Sequence, residues 1–305
     1  MPVSHQDPLL PSPPSATSLE AMDPIHRLHR PTLRAPRALL AWEGWNDACD
    51  AASGAAAFLL DQWDDIEPFA VVEPEEFYDF QVRRPRVEVD EGGTRSLEWP
   101  TTRAYALDFG EAPHDALVVV GEEPSLRWKT YTRSIGQILA EADVDMIVTL
   151  GAFIGQVPHT IPVPIVGVAT DSALVEEHGL MGSRYEGPTG IVGVMLEACR
   201  EIGIPAISLW AATPHYLAAN PNPRAMLALL DCAAGVMEIP FDTAELEKVA
   251  VDFDERVEAA MEANEEFVDY VRRLEEEADA EPGKPLDPQA SDQMISEIED
   301  FLGKR

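Results

Sequence analysis

Six short, mostly apolar runs set the firmest limit on what this chain can fold into: Arg37–Trp42, Pro68–Val72, Ala116–Val120, Asp145–Leu150, Val163–Ala169 and Ala206–Trp210. Each has the length of a strand, and runs without alternating polar residues suit strands covered on both faces. Between most of them lie segments with apolar residues at three- and four-residue spacing, predicting helices from Asn46 or Asp47 to about Trp63, from Leu126 to Ala142, and from Pro223 to about Ala234. Strands alternating with helices of this size predict an α/β fold with a mostly parallel sheet joined by right-handed crossovers.

The clearest unit is Gly182–His215. Gly187 and Pro188 suit the cap and first turn of a helix, since proline fixes φ there and has no N–H to leave unpaired. Ile191, Val194, Met195, Ala198 and Ile202 follow one helical stripe, and Gly203 ends it. Outside this rhythm, Val87-x-Val89 and Leu97-x-Trp99 flank Gly92-Gly93 and predict a β-hairpin extension.

The two ends differ from residues 37–240. Residues 1–36 carry eight prolines and few periodic apolar positions, which predicts a flexible tail. Residues 241–305 hold 21 acidic and 7 basic residues, forming a helical appendage. Its apolar positions, Leu246 to Leu274 with Asn264 on the line, predict one long amphipathic helix that packs on the α/β domain or on a neighbouring subunit. Pro282 and Pro285 then break the pattern, and Ser291–Leu302 reads as a second, shorter helix.

The net charge of −33 repels nucleic acid and anionic lipid, so neither is an expected partner. Cys49, Cys199 and Cys232 are far apart and have no metal-ligand spacing, so buried, reduced thiols are expected. The sequence contains no signal-peptide core and no apolar stretch of membrane-spanning length, which predicts a cytoplasmic protein. No metal-binding or nucleotide fingerprint occurs, and neither a metal nor a cofactor is expected.

In open α/β sheets, ligands bind beyond the carboxyl ends of the strands. That rule collects a candidate pocket of Glu43, Trp45, Asn46, Phe153, Asp171 and His215, with the loop residues Arg184, Tyr185, Glu186 and Gly187; Glu122 and Gln156 share the rim. His159, His178 and His215 with Asp171 and Glu186 form an acid–base or metal site if their loops converge, or anchor loops if they do not. Gly187, Gly190 and Gly193 either cradle an anion at a helix start or allow close packing.

Four segments in order carry a family resemblance: Ala41-Trp42-Glu43-Gly44-Trp45-Asn46-Asp47-Ala48, Thr149-Leu150-Gly151-Ala152, Tyr185-Glu186-Gly187-Pro188-Thr189-Gly190-Ile191, and Pro214-His215-Tyr216 with Asn220-Pro221-Asn222-Pro223. Over residues 37–240 the chain resembles the bacterial and archaeal branch of the proteasome assembly chaperone 2 family. The resemblance implies a three-layer α/β/α fold related to purine nucleoside phosphorylases. It also implies homo-oligomers, a trimer being favoured, and a non-enzymatic role in binding proteasome α-subunits. Members that dock by a C-terminal hydrophobic–tyrosine–any-residue motif differ from this chain, which closes with Phe301-Leu302-Gly303-Lys304-Arg305. The alternative expectation is an enzyme or sensor for a nucleoside-like or phosphorylated metabolite at the strand-end crevice.

Overall fold

The computed structural model describes residues 23–90, 92–183, 185–218, 221–262 and 265–280. The core is a block of four parallel strands: β2 (Arg37–Glu43), β7 (Ala116–Glu122), β8 (Met146–Gly155) and β11 (Ala206–Pro214). They lie in the order β7-β2-β8-β11. Alternation along each strand divides its residues between two helical layers. Leu39, Ala41, Val118, Val148, Leu209 and Ala211 pack under α1 (Ala51–Leu60) and α5 (Pro223–Met237). Ala38, Leu40, Trp42, Leu117, Val119 and Ile147 pack under α2 (Trp128–Glu141) and α4 (Ile191–Ile202). The result is the expected three-layer α/β/α arrangement.

The flanks are antiparallel. β1 (Ile25–Arg27), β3 (Ala70–Val72) and β6 (Thr102–Leu107) extend the sheet beyond β7. The segment read as a tail therefore contributes an edge strand, with Ile25 buried and Arg27 bonded to Glu141 at 2.7 Å. Residues 1–22 lie outside the described residues.

On the other side, β9 (Ile165–Ala169) runs antiparallel to β11, where the sequence predicted a parallel strand. The reason is the connection: Gly155 and Ile165 are joined by a short loop, and a parallel return needs a dozen or more residues, usually including a helix. The two-residue β10 (Met181–Gly182) completes the sheet beside β9. The short helix α3 (Ser172–Glu177) links these two strands.

The hairpin forms as expected, with β4 (Arg86–Val89) paired to β5 (Arg95–Glu98). Val87 opposes Leu97, while Val89 faces Arg95 because the turn sets the register one pair away from the apolar match. Trp99 lies past the strand and meets Phe80 edge to face at 4.8 Å.

The appendage corrects a second expectation. Two helices, α6 (Ala244–Glu262) and α7 (Glu265–Ala280), replace the single long one. Phe253, Val257 and Met261 of α6 share a core with Phe267, Val271 and Leu274 of α7 and with Tyr216 and Leu217. The apolar rhythm skips from Met261, near the end of α6, to Phe267, near the start of α7. Asn264 and the Ser291–Leu302 helix lie outside the described residues.

Candidate functional site

Because β2, β7, β8 and β11 are parallel, their carboxyl ends share one edge. Pairing between β2 and β8 stops at Leu40 and Thr149. The turn after β2 takes over, with the Ala152 N–H donating to the Asn46 carbonyl at 2.8 Å. Asp47 folds back onto α1, its Oδ1 accepting from the Ala52 N–H at 2.7 Å and the Ser53 N–H at 3.1 Å. Asp47 is thus the helix-capping residue, and burial pushes its carboxyl upward. Between them, Cys49 and Asp50 adopt left-handed backbone angles, and the Asn222 N–H fixes this turn by donating to the Cys49 carbonyl at 3.0 Å.

Helix α4 starts at Ile191, three residues after Pro188, with Gly190 as its cap. Glu123 Oε1 accepts from the Ile191 N–H at 2.8 Å. The anion position at this helix start is filled by the chain's own carboxylate. A Cβ on Gly190 would fall 2.6 Å from Glu123 Oε1, so glycine is needed here for close approach. Gly187 lies equally tight under the Tyr185 ring, whose hydroxyl donates to the Pro188 carbonyl at 3.0 Å. These glycines serve packing. Glu123 was not among the sequence candidates; it follows Glu122, the last residue of β7, and its carboxylate reaches α4.

The expected pocket residues divide into groups. Glu43, Trp45, Asn46 and Phe153 lie at the carboxyl edge, joined there by Tyr185, Glu186 and Gly187 ahead of α4. Arg184 lies outside the described residues. His215 follows β11 on this edge but is buried, with Nε2 3.0 Å from the Tyr270 hydroxyl of α7. Asp171 does not join them. It caps α3, accepting from the Ala173 N–H at 2.9 Å, and the preceding Thr170 N–H donates to Ala206 at the amino end of β11. The reversed direction of β9 carries it to the opposite edge. His178, after α3, is likewise separated from His215, whereas His159 does approach it. Tyr216 bridges the two: its hydroxyl is 2.8 Å from His159 Nδ1, and its ring meets His215 edge to face at 5.3 Å.

Burial holds both imidazoles below their ordinary pKa; near His159, Asp254 and Glu275 oppose the effect. Burial also pushes the Cys49 thiol up, with Sγ 3.7 Å from the Leu217 carbonyl. Asp47, Glu123, His159 and His215 thus hold a turn, a cap or α7, while Asp47 Oδ2 and His215 Nδ1 are buried without a hydrogen-bond partner. Among the described residues no group of three His, Cys, Asp or Glu is arranged to hold a metal ion. Nor is any helix among them long and apolar enough to cross a membrane.

The edge also exposes apolar surface. Trp45 is 61%, Tyr185 68%, Phe153 40% and Ile154 39% exposed. Behind it, a buried chain of polar groups fixes the strand ends. Trp42 Nε1 donates to the Tyr131 hydroxyl at 2.7 Å, Tyr131 bonds Thr102, and the Tyr78 hydroxyl donates to the Glu122 carbonyl at 2.8 Å.

Comparison with known proteins adds a likeness over most of the chain. The PAC2 family model matches residues 41–261. A crystal structure of a PAC2 family protein from Streptomyces avermitilis is 44% identical, with a TM-score of 0.72 covering 77% of this chain and 99% of that one. A proteasome-assembly chaperone homologue from Mycobacterium tuberculosis is 38% identical, with a TM-score of 0.71 over the same shares. An archaeal proteasome activator from Pyrococcus furiosus shares the fold at 17% identity and a TM-score of 0.59, covering 77% of this chain and 97% of that one. A search of curated proteins gives no match.

Proposed function

The chain belongs to the PAC2 family, and on that premise we propose that it is a non-enzymatic, self-associating cytoplasmic protein that binds proteasome α-subunits through the carboxyl edge of its sheet. The observation that carries this reading is the exposure of Trp45, Phe153, Ile154 and Tyr185 along that edge. Aromatic side chains held on a rigid frame are the residues that dominate protein–protein contacts. The nearby polar groups are committed elsewhere, since Asp47 and Glu123 cap helices and His215 holds α7. The description of the mycobacterial relative as a proteasome-assembly chaperone homologue supports the choice of partner.

A phosphate-binding role at this edge has less support, because Glu123 occupies the start of α4. The decisive experiment mixes the purified chain with 20S α-subunits and follows both complex formation and core-particle assembly. Complex formation at micromolar concentration is expected; no complex and an unchanged assembly rate would refute the reading. Light scattering tests self-association separately. Removal of residues 241–280 is expected to change the oligomer mass if the appendage is at the contact.

A further inference from the structure

A cleft of about 200 Å³ opens on the α1 face of the sheet, between the ends of β2 and β7 and the base of the hairpin. Glu43 and Glu122 are register partners on neighbouring parallel strands, so their side chains stand next to each other at the cleft wall. Like charges placed this way repel. Partial desolvation, reinforced by Glu122, pushes the Glu43 carboxyl up. Arg83 compensates Glu122 at 3.3 Å, and Arg103 compensates Glu98 at 3.6 Å. Arg84 and Arg86 also line the cleft, where Arg86 acts electrostatically on Glu43, and among the described residues neither guanidinium makes a side-chain hydrogen bond or a close ion pair. The remaining wall is apolar, from Ala57, Leu60, Val120 and Trp99.

Two exposed guanidiniums without a directly bonded carboxylate, in a chain of net charge −33, can receive an anionic group. A carboxylate fits their planar, forked donors. The Glu43–Glu122 pair asks for a cationic donor, and an ammonium between the two relieves their repulsion. A phosphate monoester would supply the anion but add charge against Glu43. The volume is below the roughly 300–1,000 Å³ of pockets that hold drug-sized ligands, so the occupant is smaller. We propose that this cleft binds a free apolar α-amino acid, its carboxylate on Arg84 and Arg86, its ammonium between Glu43 and Glu122, and its side chain against Leu60, Val120 and Trp99.

The test is calorimetric titration of the full chain with L-leucine, L-methionine, L-valine and L-phenylalanine, alongside L-leucinamide, N-acetyl-L-leucine and inorganic phosphate. At least one amino acid is expected to bind with a Kd of about 1 mM or tighter, and both blocked derivatives are expected to bind at least about tenfold more weakly. Arg86→Met and Arg84→Met lie on exposed side chains, leave the core intact, and are expected to reduce affinity by a similar factor. Glu43→Gln should weaken the amino acid while leaving N-acetyl-L-leucine unaffected. Failure of all four amino acids to bind, equal binding of leucinamide, unchanged affinity in both arginine variants, or binding of phosphate alone would each overturn the proposal. Glu43 sits on the same edge as Trp45, but Arg84 and Arg86 are not among the exposed aromatics, so their variants test the cleft independently of α-subunit binding.

Discussion

The Glu123 carboxylate accepts a hydrogen bond from the Ile191 backbone N–H at 2.8 Å, tying the end of β7 to the start of α4 across 68 residues of sequence. The contact joins an anion to the positive end of a helix dipole. Glu123→Ala is expected to cost about 1–3 kcal/mol, because the freed N–H is part-buried. Glu123→Gln keeps an acceptor and loses the charge, so about 0.3–1 kcal/mol is expected. Gly190→Ala should cost about 1–3 kcal/mol by steric displacement of Asn46 and Glu123. Urea denaturation at constant m-value measures all three, and a Gly190→Ala protein as stable as the parent would show that the approach is not tight.

A second expectation concerns the buried polar chain. Tyr131→Phe removes the acceptor of Trp42 Nε1, leaving that N–H unpaired in a core with no exposed surface at Tyr131, while Thr102 keeps its contact with the Tyr78 hydroxyl at 3.3 Å. The cost should be about 1–3 kcal/mol despite the loss of a single oxygen. Tyr78→Phe should cost less, about 0.5–1.5 kcal/mol, since it breaks the bond to the Glu122 carbonyl near the surface. Equal denaturation midpoints for Tyr131→Phe and the parent would contradict this account.

Trp45→Ala and Tyr185→Ala test the exposed edge. Both rings are mostly solvent-exposed, so stability should change by less than about 0.5 kcal/mol. Binding to α-subunits should fall by about tenfold or more for at least one of them, as truncation of a central aromatic contact does. Surface plasmon resonance with immobilised α-subunits, combined with melting curves, separates the two effects. Unchanged affinity in both variants would move the interface elsewhere.

The parts of this molecule that were legible in the sequence are those governed by local pattern. Apolar runs located β2, β7, β8 and β11, the stripe from Ile191 to Ile202 located α4, and Gly203, at φ 76°, ended it as a left-handed cap should. Strand direction was not legible, because an apolar run reads alike both ways; only the short loop before Ile165 betrays that β9 turns back. That one reversal removed Asp171 from the candidate pocket. Glu123, Arg84 and Arg86 were missed for a different reason. Their importance arises from contacts between segments far apart in the chain, and a rule based on strand ends does not reach the base of a hairpin. That two acidic helices replace one was visible only as the skip in apolar rhythm between Met261 and Phe267, which also reads as a tolerated polar interval on a continuous stripe.

The docking of α7 should depend on pH. Tyr270 meets His215 Nε2 at 3.0 Å, and Tyr216, which accepts from the His159 N–H at 2.8 Å, has its hydroxyl left to donate to His159 Nδ1. His159 Nδ1 is the acceptor in its bond, and burial holds both imidazoles below their ordinary pKa. The folded state therefore binds fewer protons than the unfolded state. The stability that these histidines contribute is complete above the unfolded value and is lost as pH falls through the lower folded values. The groups facing them are Tyr216 beside the rings, Asp254 of α6, and Tyr270 and Glu275 of α7; the carboxylates moderate the effect at His159. An acidic surface gains stability on partial neutralisation, so His159→Gln with His215→Gln serves as the reference that isolates the imidazoles. Hydrogen exchange at about pH 7.5 and about pH 5.5 should show α7 amides of the parent losing protection relative to α1, and the double variant showing a smaller difference. If the parent and the double variant change alike between the two pH values, the imidazoles do not control the docking of α7.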